Sequence, residues 1–164
     1  MNIHLRPLEK KDAPLMLEWQ QDPSIMRFFR FDTSHASLAT CEAFIAGADR
    51  DPSCRHYAIA DENDAYLGTI SLKHINPLGG CAEYAICTRQ CAHGTGAALQ
   101  ATQALLRIAF EELELQRVYL NVMEENGRAI AFYHKAGFRF VRSEERAVYL
   151  RGEWKTVFWF DYNR

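Results

Sequence analysis

Two spacings of apolar positions run through this chain, one of about 2 residues and one near 3.6, and they predict strands and helices in turn. Ile3 to Arg6 reads as a first strand, ended by Pro7. Asp12 is placed to cap a helix that runs to about Gln20, with Pro14 in its first turn and Leu15, Met16 and Trp19 as apolar surface. Residues 22–33 read as irregular and rich in aromatics, with Phe28, Phe29 and Phe31. Ser34 or Ser37 can start a second helix through about Ala48, with Leu38, Cys41, Phe44 and Ile45 on one face.

A strand is expected from His56 to Ala60 and another from Tyr66 to Ile75. In the second, Ile70 and Leu72 lie on one face, and Thr69, Ser71 and Lys73 on the other. Asn76-Pro-Leu-Gly-Gly80 marks a turn, after which Ala82 to Thr88 alternates Tyr84 and Ile86 against Glu83, Ala85 and Cys87. The longest periodic segment is Thr95 to Leu115. Ala98, Leu99, Thr102, Leu105, Leu106, Ala109, Phe110 and Leu113 form its apolar stripe, the mark of a helix docked on a sheet. Val118, Leu120 and Val122 alternate as a strand. Asn126 can cap a short helix that runs to about Ala136 and stops at Gly137. Two strands, about Arg139 to Leu150 and Trp154 to Tyr162, turn at Arg151-Gly152-Glu153. Strands and helices alternate and a hairpin closes the chain, so the class is α/β or α+β with a mixed sheet.

Composition narrows the picture without changing it. A chain of 164 residues suits one domain spanning 1–164. The formal net charge of −2 gives no basic field for nucleic acid. The opening Met1-Asn-Ile-His-Leu-Arg-Pro-Leu-Glu-Lys-Lys-Asp12 carries charges where a signal peptide would be apolar, and no apolar run approaches the ~20 residues of a membrane span. A cytoplasmic location is therefore expected. The five cysteines, Cys41, Cys54, Cys81, Cys87 and Cys91, form no Cys-x-x-Cys pair, and the six histidines are scattered. Reduced thiols and no metal site follow as expectations.

Chemistry concentrates in Thr88-Arg-Gln-Cys-Ala-His-Gly-Thr-Gly-Ala-Ala98, between a strand and the long helix. Gly94 and Gly96 can adopt backbone angles closed to other residues and let a ligand approach the main chain. Helix-start amides have no partners inside the helix, and an anion such as pyrophosphate suits them. By spacing alone this is equally a tight strand–helix turn. It is not a P-loop, because Ala97-Ala98 follows Gly96, and not a dinucleotide fingerprint, because position 99 is Leu.

The turn resembles the acetyl-CoA pyrophosphate loop of GNAT acetyltransferases, Arg/Gln-x-x-Gly-x-Gly/Ala. Gly94 and Gly96 match, while Cys91 stands where Arg or Gln is usual. Downstream, Asn126, Arg128, Ala129, Tyr133, Lys135, Gly137 and Phe138 match the family's segment that ends in Tyr-x-Lys-x-Gly-Phe. Leu5-Arg-Pro-Leu8, Trp19-x-x-Asp22-Pro23 and Gly152-x-Trp154-x-x-Val157 are similar to the branch with ribosomal-protein and spermidine N-acetyltransferases.

The resemblance implies a mixed, mostly antiparallel sheet of about seven strands flanked by about four helices. It implies direct transfer of an acetyl group from acetyl-CoA to a primary amine, which would belong to a protein N-terminus, a polyamine, an amino sugar or an aminoglycoside. It assigns Tyr133 as general acid, with Glu83 as the leading base. Cofactor contacts fall on Ile86, Cys87 and Thr88 of the strand, on Cys91, Ala92, His93, Gly94, Thr95 and Gly96 of the turn, and on Asn126 and Arg128, with Lys135 a further phosphate candidate. The acceptor would meet residues 20–50 and the closing hairpin, where Trp19, Phe28, Phe29, Phe31, Tyr149 and Trp154 are available. Dimerisation of family members makes a homodimer an expectation by analogy. The alternative is a catalytically silent CoA-binding sensor or interaction module, which the Cys91 departure favours.

Overall fold

A computed structural model describes residues 1–164. Seven strands form one sheet in the order β1-β2-β3-β4-β5-β7-β6. They are β1 His4–Pro7, β2 Arg55–Ala60, β3 Tyr66–Asn76, β4 Cys81–Thr88, β5 Arg117–Met123, β6 Arg139–Leu150 and β7 Glu153–Asn163. Every neighbouring pair is antiparallel except β4 with β5. The helices are α1 Ala13–Gln20, α2 Pro23–Met26, α3 Leu38–Gly47, α4 Ala97–Arg107 and α5 Gly127–Ala136, one more than expected.

Side chains alternate across the sheet and feed two cores. On one face α4 and α5 cover Ile59, Ile70, Leu72, Tyr84, Val118, Leu120 and Phe160. On the other, α1, α2 and α3 cover Ala58 and Tyr66 with Met16, Trp19, Ile25, Met26 and Cys41. Because β3 lies under helices on both sides, Ile70 and Leu72 are buried, and so are Thr69 and Ser71. Each has a partner there: Thr69 Oγ1 lies 2.7 Å from the Tyr66 hydroxyl, which also accepts from Trp19 Nε1 at 2.9 Å, and Ser71 Oγ lies 2.6 Å from His56 Nδ1.

Local rules set most element ends. Ser37 caps α3 in a reciprocal pair with Thr40. Asn126 accepts from the Ala129 amide at 3.3 Å. Gly137, at φ +99°, ends α5, as the Phe138 amide bonds the Tyr133 carbonyl at 3.0 Å. Arg151 and Gly152, both at positive φ, form the two-residue turn between β6 and β7.

Three expectations are corrected. Residues 22–33 hold the short helix α2, which Asp22 caps through the Ser24 amide. The long helix starts at Ala97 rather than Thr95, and at Ile108 it loosens into a π-helical turn through Glu112. Asp12 does not cap α1 with its side chain. Its carboxylate accepts instead from Arg6 Nη1 and Nη2, both at 2.8 Å, and from the Glu9 amide at 2.8 Å. Arg6 Nε reaches Asp64 at 2.6 Å, so this cluster joins β1, the start of α1 and the β2–β3 turn. Asp12 is 1% exposed, and a carboxylate so placed needs its partner.

The sheet is not continuous. Pairing of β4 with β5 covers only Cys81↔Arg117, Ala82↔Val118 and Glu83↔Tyr119. Beyond that point β4 follows β3 to Thr88, and β5 follows β7 to Met123. Under the gap, α5 places Tyr133 5.8 Å from Tyr84 and 6.2 Å from Phe160 between ring centroids, one ring on each side of the parting. Tyr84 is tied to α4 by a 2.8 Å hydrogen bond with Thr102.

Two substitutions test this account. Arg6→Ala strands the buried Asp12 carboxylate and is expected to cost about 3–5 kcal/mol in urea unfolding, whereas loss of an exposed ion pair costs at most about 1 kcal/mol. A Cβ on Gly68 would lie 2.3 Å from the Cys87 carbonyl oxygen and 2.8 Å from Thr88 Cα. Gly68→Ala is therefore expected to cost about 1–3 kcal/mol by overpacking, read as a lowered melting temperature, and to displace β4 at its free end.

Candidate active site

A cavity of about 570 Å³ occupies the gap between the strands. It runs from the glycine turn, past β4 and α5, to α2 and the segment after it. Its chemistry differs from end to end.

At the first end the main chain does the work. Gly94 and Gly96 have φ of +76° and +83°, and nothing lies within 4 Å of a Cβ built on either. The space above them is open to a ligand. The amides of Gly94, Gly96, Ala98 and Leu99 find no acceptor within the protein, and all four residues line the cavity. Thr95 shapes this turn from behind: its hydroxyl donates to the Ala92 carbonyl at 2.6 Å and accepts from the Ala97 amide at 3.2 Å. Four free amides at the start of an 11-residue helix form an anion cradle. Arg128 and Lys135 of α5 add positive charge to the wall. Burial, with help from Arg128, pushes the His93 imidazole below its usual range, so it lines the site without adding charge.

In the middle, Ile86, Cys87 and Thr88 line the cavity. The Arg89 amide donates to the Leu67 carbonyl at 2.8 Å, which fixes the phase of the β3–β4 ladder. Alternate residues bond across an antiparallel pair, so Ala85 and Cys87 bond to β3, and Ile86 and Thr88 turn their main-chain groups to the gap. Tyr133 sits opposite. No buried polar side-chain atom lacks a partner, yet the Tyr133 hydroxyl bonds to nothing in the protein, so it opens on the cavity. Burial, aided by Cys87, pushes its phenol up, and burial pushes the Cys87 thiol up to about 12. Both keep their protons at neutral pH. Asn126 lines the cavity and caps α5 at once.

At the far end the wall is Ser24, Ile25, Phe28 and Phe29, with no basic side chain among them. Of the aromatics considered for the acceptor, Phe28 and Phe29 are on the cavity. Trp19 is core, Phe31 packs on Phe29 at 5.5 Å from outside, and Tyr149 and Trp154 lie exposed on the closing hairpin.

Three sequence-predicted residues do not line the cavity. Cys91 is exposed beside the turn. Thr95 acts from behind, as described. Glu83 stands on β4 before the strands part, with Lys73 at 3.5 Å. Arg89, near the position where an arginine was missed, is held by Glu18 at 2.8 Å and by the Tyr66 carbonyl at 3.0 Å. Ser24, Ile25, Ala98, Leu99, Ala129, Ala131 and Phe132 were not assigned to the site from sequence. Asp22-Pro23 carried a helix-start signal for the first two. Ala98 and Leu99 read as core stripe, because helical period does not distinguish a cavity from a sheet.

The arrangement fits a thioester cofactor with a pyrophosphate. An anion cradle leads by a narrow gap, wide enough to free strand amides, to a protonated phenol and an apolar pocket. Comparisons with known proteins agree. Residues 2–139 match the family model described as acetyltransferase (GNAT) domain. Spermidine N(1)-acetyltransferase of Escherichia coli (strain K12) is 27% identical over 156 residues, covering 95% of this chain and 83% of that protein. The Vibrio cholerae enzyme of the same name is 27% identical over 136 residues, 83% of this chain and 78% of its own. In fold, the chain superposes with a TM-score of 0.88 on a crystal structure of spermidine N-acetyltransferase from Vibrio cholerae in complex with CoA and spermine, at 23% identity over 98% of this chain and 95% of that one. With the glycine turn, the parted strands and the α5 tyrosine in one cavity, and a family model over most of its length, the chain belongs to the GNAT acetyltransferases and transfers an acetyl group from acetyl-CoA to a primary amine.

Proposed function

We propose that the acceptor is an aliphatic polyamine. The observation that carries this reading is the contrast between the two ends of one cavity. One end is an anion cradle with Arg128 and Lys135, and the other is lined by Ile25, Phe28 and Phe29, where Arg27 lies 5.0 Å over the Phe28 ring but does not line the cavity. Methylene segments suit the phenyl rings, and ammonium groups suit aromatic ring faces. The two spermidine-acetylating relatives support the same class of acceptor.

Acetyl-CoA supplies the activated acyl group. The free amides of Gly94, Gly96, Ala98 and Leu99 would hold its pyrophosphate, with Arg128 and Lys135 on the outer phosphates. Asn126 and the main chain of Ile86 and Thr88 would bind along the gap, and one of those strand amides would take the oxyanion as charge develops. Tyr133 holds a proton at the gap, and we assign it the transfer to the departing sulfur. Glu83 would draw the proton from the ammonium through water, from its place one pleat before the free strand end.

The same reading places the enzyme in the cytoplasm, in keeping with five free thiols, and makes it a homodimer whose contact includes the exposed Phe140, Tyr149 and Trp154. A single 18.9 kDa species in sedimentation at micromolar concentration removes the dimer.

Turnover is followed as free CoA thiol with spermidine as acceptor. Tyr133→Phe is expected to lower kcat about 10²-fold or more, with the KM for acetyl-CoA within about twofold of wild type. Glu83→Gln is expected to lose rate near pH 7 and to recover above about pH 9, where the free amine is abundant. Wild-type kcat in Tyr133→Phe removes the acid from the scheme, and an unchanged pH profile in Glu83→Gln removes the base.

A further inference from the structure

The closing hairpin reaches across the molecule to the segment that walls the acceptor end. Arg151, at the tip between β6 and β7, donates from Nη1 to the Arg27 carbonyl at 2.6 Å and from Nη2 to the Met26 carbonyl at 3.2 Å. Met26 ends α2 and Arg27 caps it; the Arg27 carbonyl has no main-chain donor, while the Met26 carbonyl also accepts from the Phe29 amide at 3.0 Å. A guanidinium fork meets two such acceptors at once, and its positive charge suits the negative end of the helix.

The position of Arg151 is unusual in its own right. It has φ of +50° and precedes Gly152 at +81° in a two-residue turn. Asn or Gly is the ordinary first residue there, and a long side chain in the left-handed region is disfavoured. A residue that breaks the local rule, and whose side chain bonds to a distant backbone, points to a task beyond the turn.

The segment it holds is a bridge. Ile25 and Met26 are packed in the core under α1 and α3, on the β1–β4 half of the sheet. Arg151 belongs to the β5–β7–β6 half. A few residues on, Arg30 bonds the side chain of Asn121 on β5. Between these two ties the chain presents Phe28 and Phe29 to the cavity. The segment thus crosses the parting of the strands, and its position over the gap is set from both sides.

We propose that Arg151 is a positioning residue for the acceptor: by gripping the end of α2 it fixes Phe28 and Phe29 as the wall against which the amine is held. It touches neither the glycine turn nor the Arg128–Lys135 wall, so acetyl-CoA binding does not depend on it. The inference rests on the reading that the acceptor occupies the Phe28–Phe29 end.

Arg151→Asn separates this role from folding, because Asn suits the turn at least as well as Arg and cannot reach the carbonyls. The expected result is a KM for spermidine raised about tenfold, with the KM for acetyl-CoA within about twofold and the melting temperature unchanged or higher. Amide hydrogens of residues 24–30 should exchange faster in the variant. Arg151→Lys, with one donor head in place of a fork, should restore part of the lost affinity. An amine KM within about twofold of wild type in Arg151→Asn overturns the proposal, as does an equal rise in both KM values. If wild-type enzyme leaves spermidine untouched but acetylates another primary amine, the polyamine reading fails, and the same comparison on that amine still decides the role of Arg151.

Discussion

The parting of β4 from β5 is the constraint on which the site depends. A sheet stabilises itself by pairing backbone groups, and an unpaired strand edge in the middle of one is costly unless something takes its place. Here the pairing stops after Glu83↔Tyr119, and each strand continues with its outer neighbour. The gap is held open from below by rings: Tyr84 on β4, Phe160 on β7 and Tyr133 of α5 between them. The main-chain groups of Ile86 and Thr88 are thereby left for a ligand. The same wedge that keeps the strands apart also brings the Tyr133 phenol to the gap, where the proposed reading would place the thioester.

Charge is distributed to match. The cavity is positive only where phosphates would sit, through free amides, the start of α4, Arg128 and Lys135. Its centre is uncharged at neutral pH, since burial keeps the Cys87 thiol and the Tyr133 phenol protonated, and the His93 imidazole beside the cradle is neutral. A neutral Cys87 thiol is a poor nucleophile, which suits direct transfer to the amine. Several other arginines are paired away from the cavity: Arg6 with Asp12 and Asp64, Arg89 with Glu18, Arg117 and Arg139 with Asp161. In the proposed reading, main-chain donors, which do not depend on residue type, would serve where Cys91 offers no side-chain contact.

Much of this was legible before any coordinates. Turn chemistry found Asn126, Gly137 and the Arg151-Gly152 hairpin, because those residues answer to local backbone demands. The two glycines of the turn were found for the same reason, and their surroundings agree: each has positive φ and open space where a side chain would be. Less legible were features that arise between elements. The burial of Thr69 and Ser71 was not legible, because alternation separates two faces without revealing a second helical layer. Asp12 looked like a cap because its carboxylate's partner, Arg6, lies on another element. Ala98 and Leu99 joined the core stripe, since a cavity and a core ask for the same apolar face.

The sequence by itself determined the class of fold, the order of its elements, the glycine turn and the residues of the α5 segment, including Tyr133. These follow from period, capping and glycine placement, which act over a few residues. Only the tertiary structure decided where pairing stops, which amides stay free, which aromatics reach the cavity and which charges are already paired. It alone brought Arg151 to the end of α2, over more than a hundred residues of chain. Local rules act on neighbours in sequence, whereas a binding site is built from groups that only packing makes neighbours.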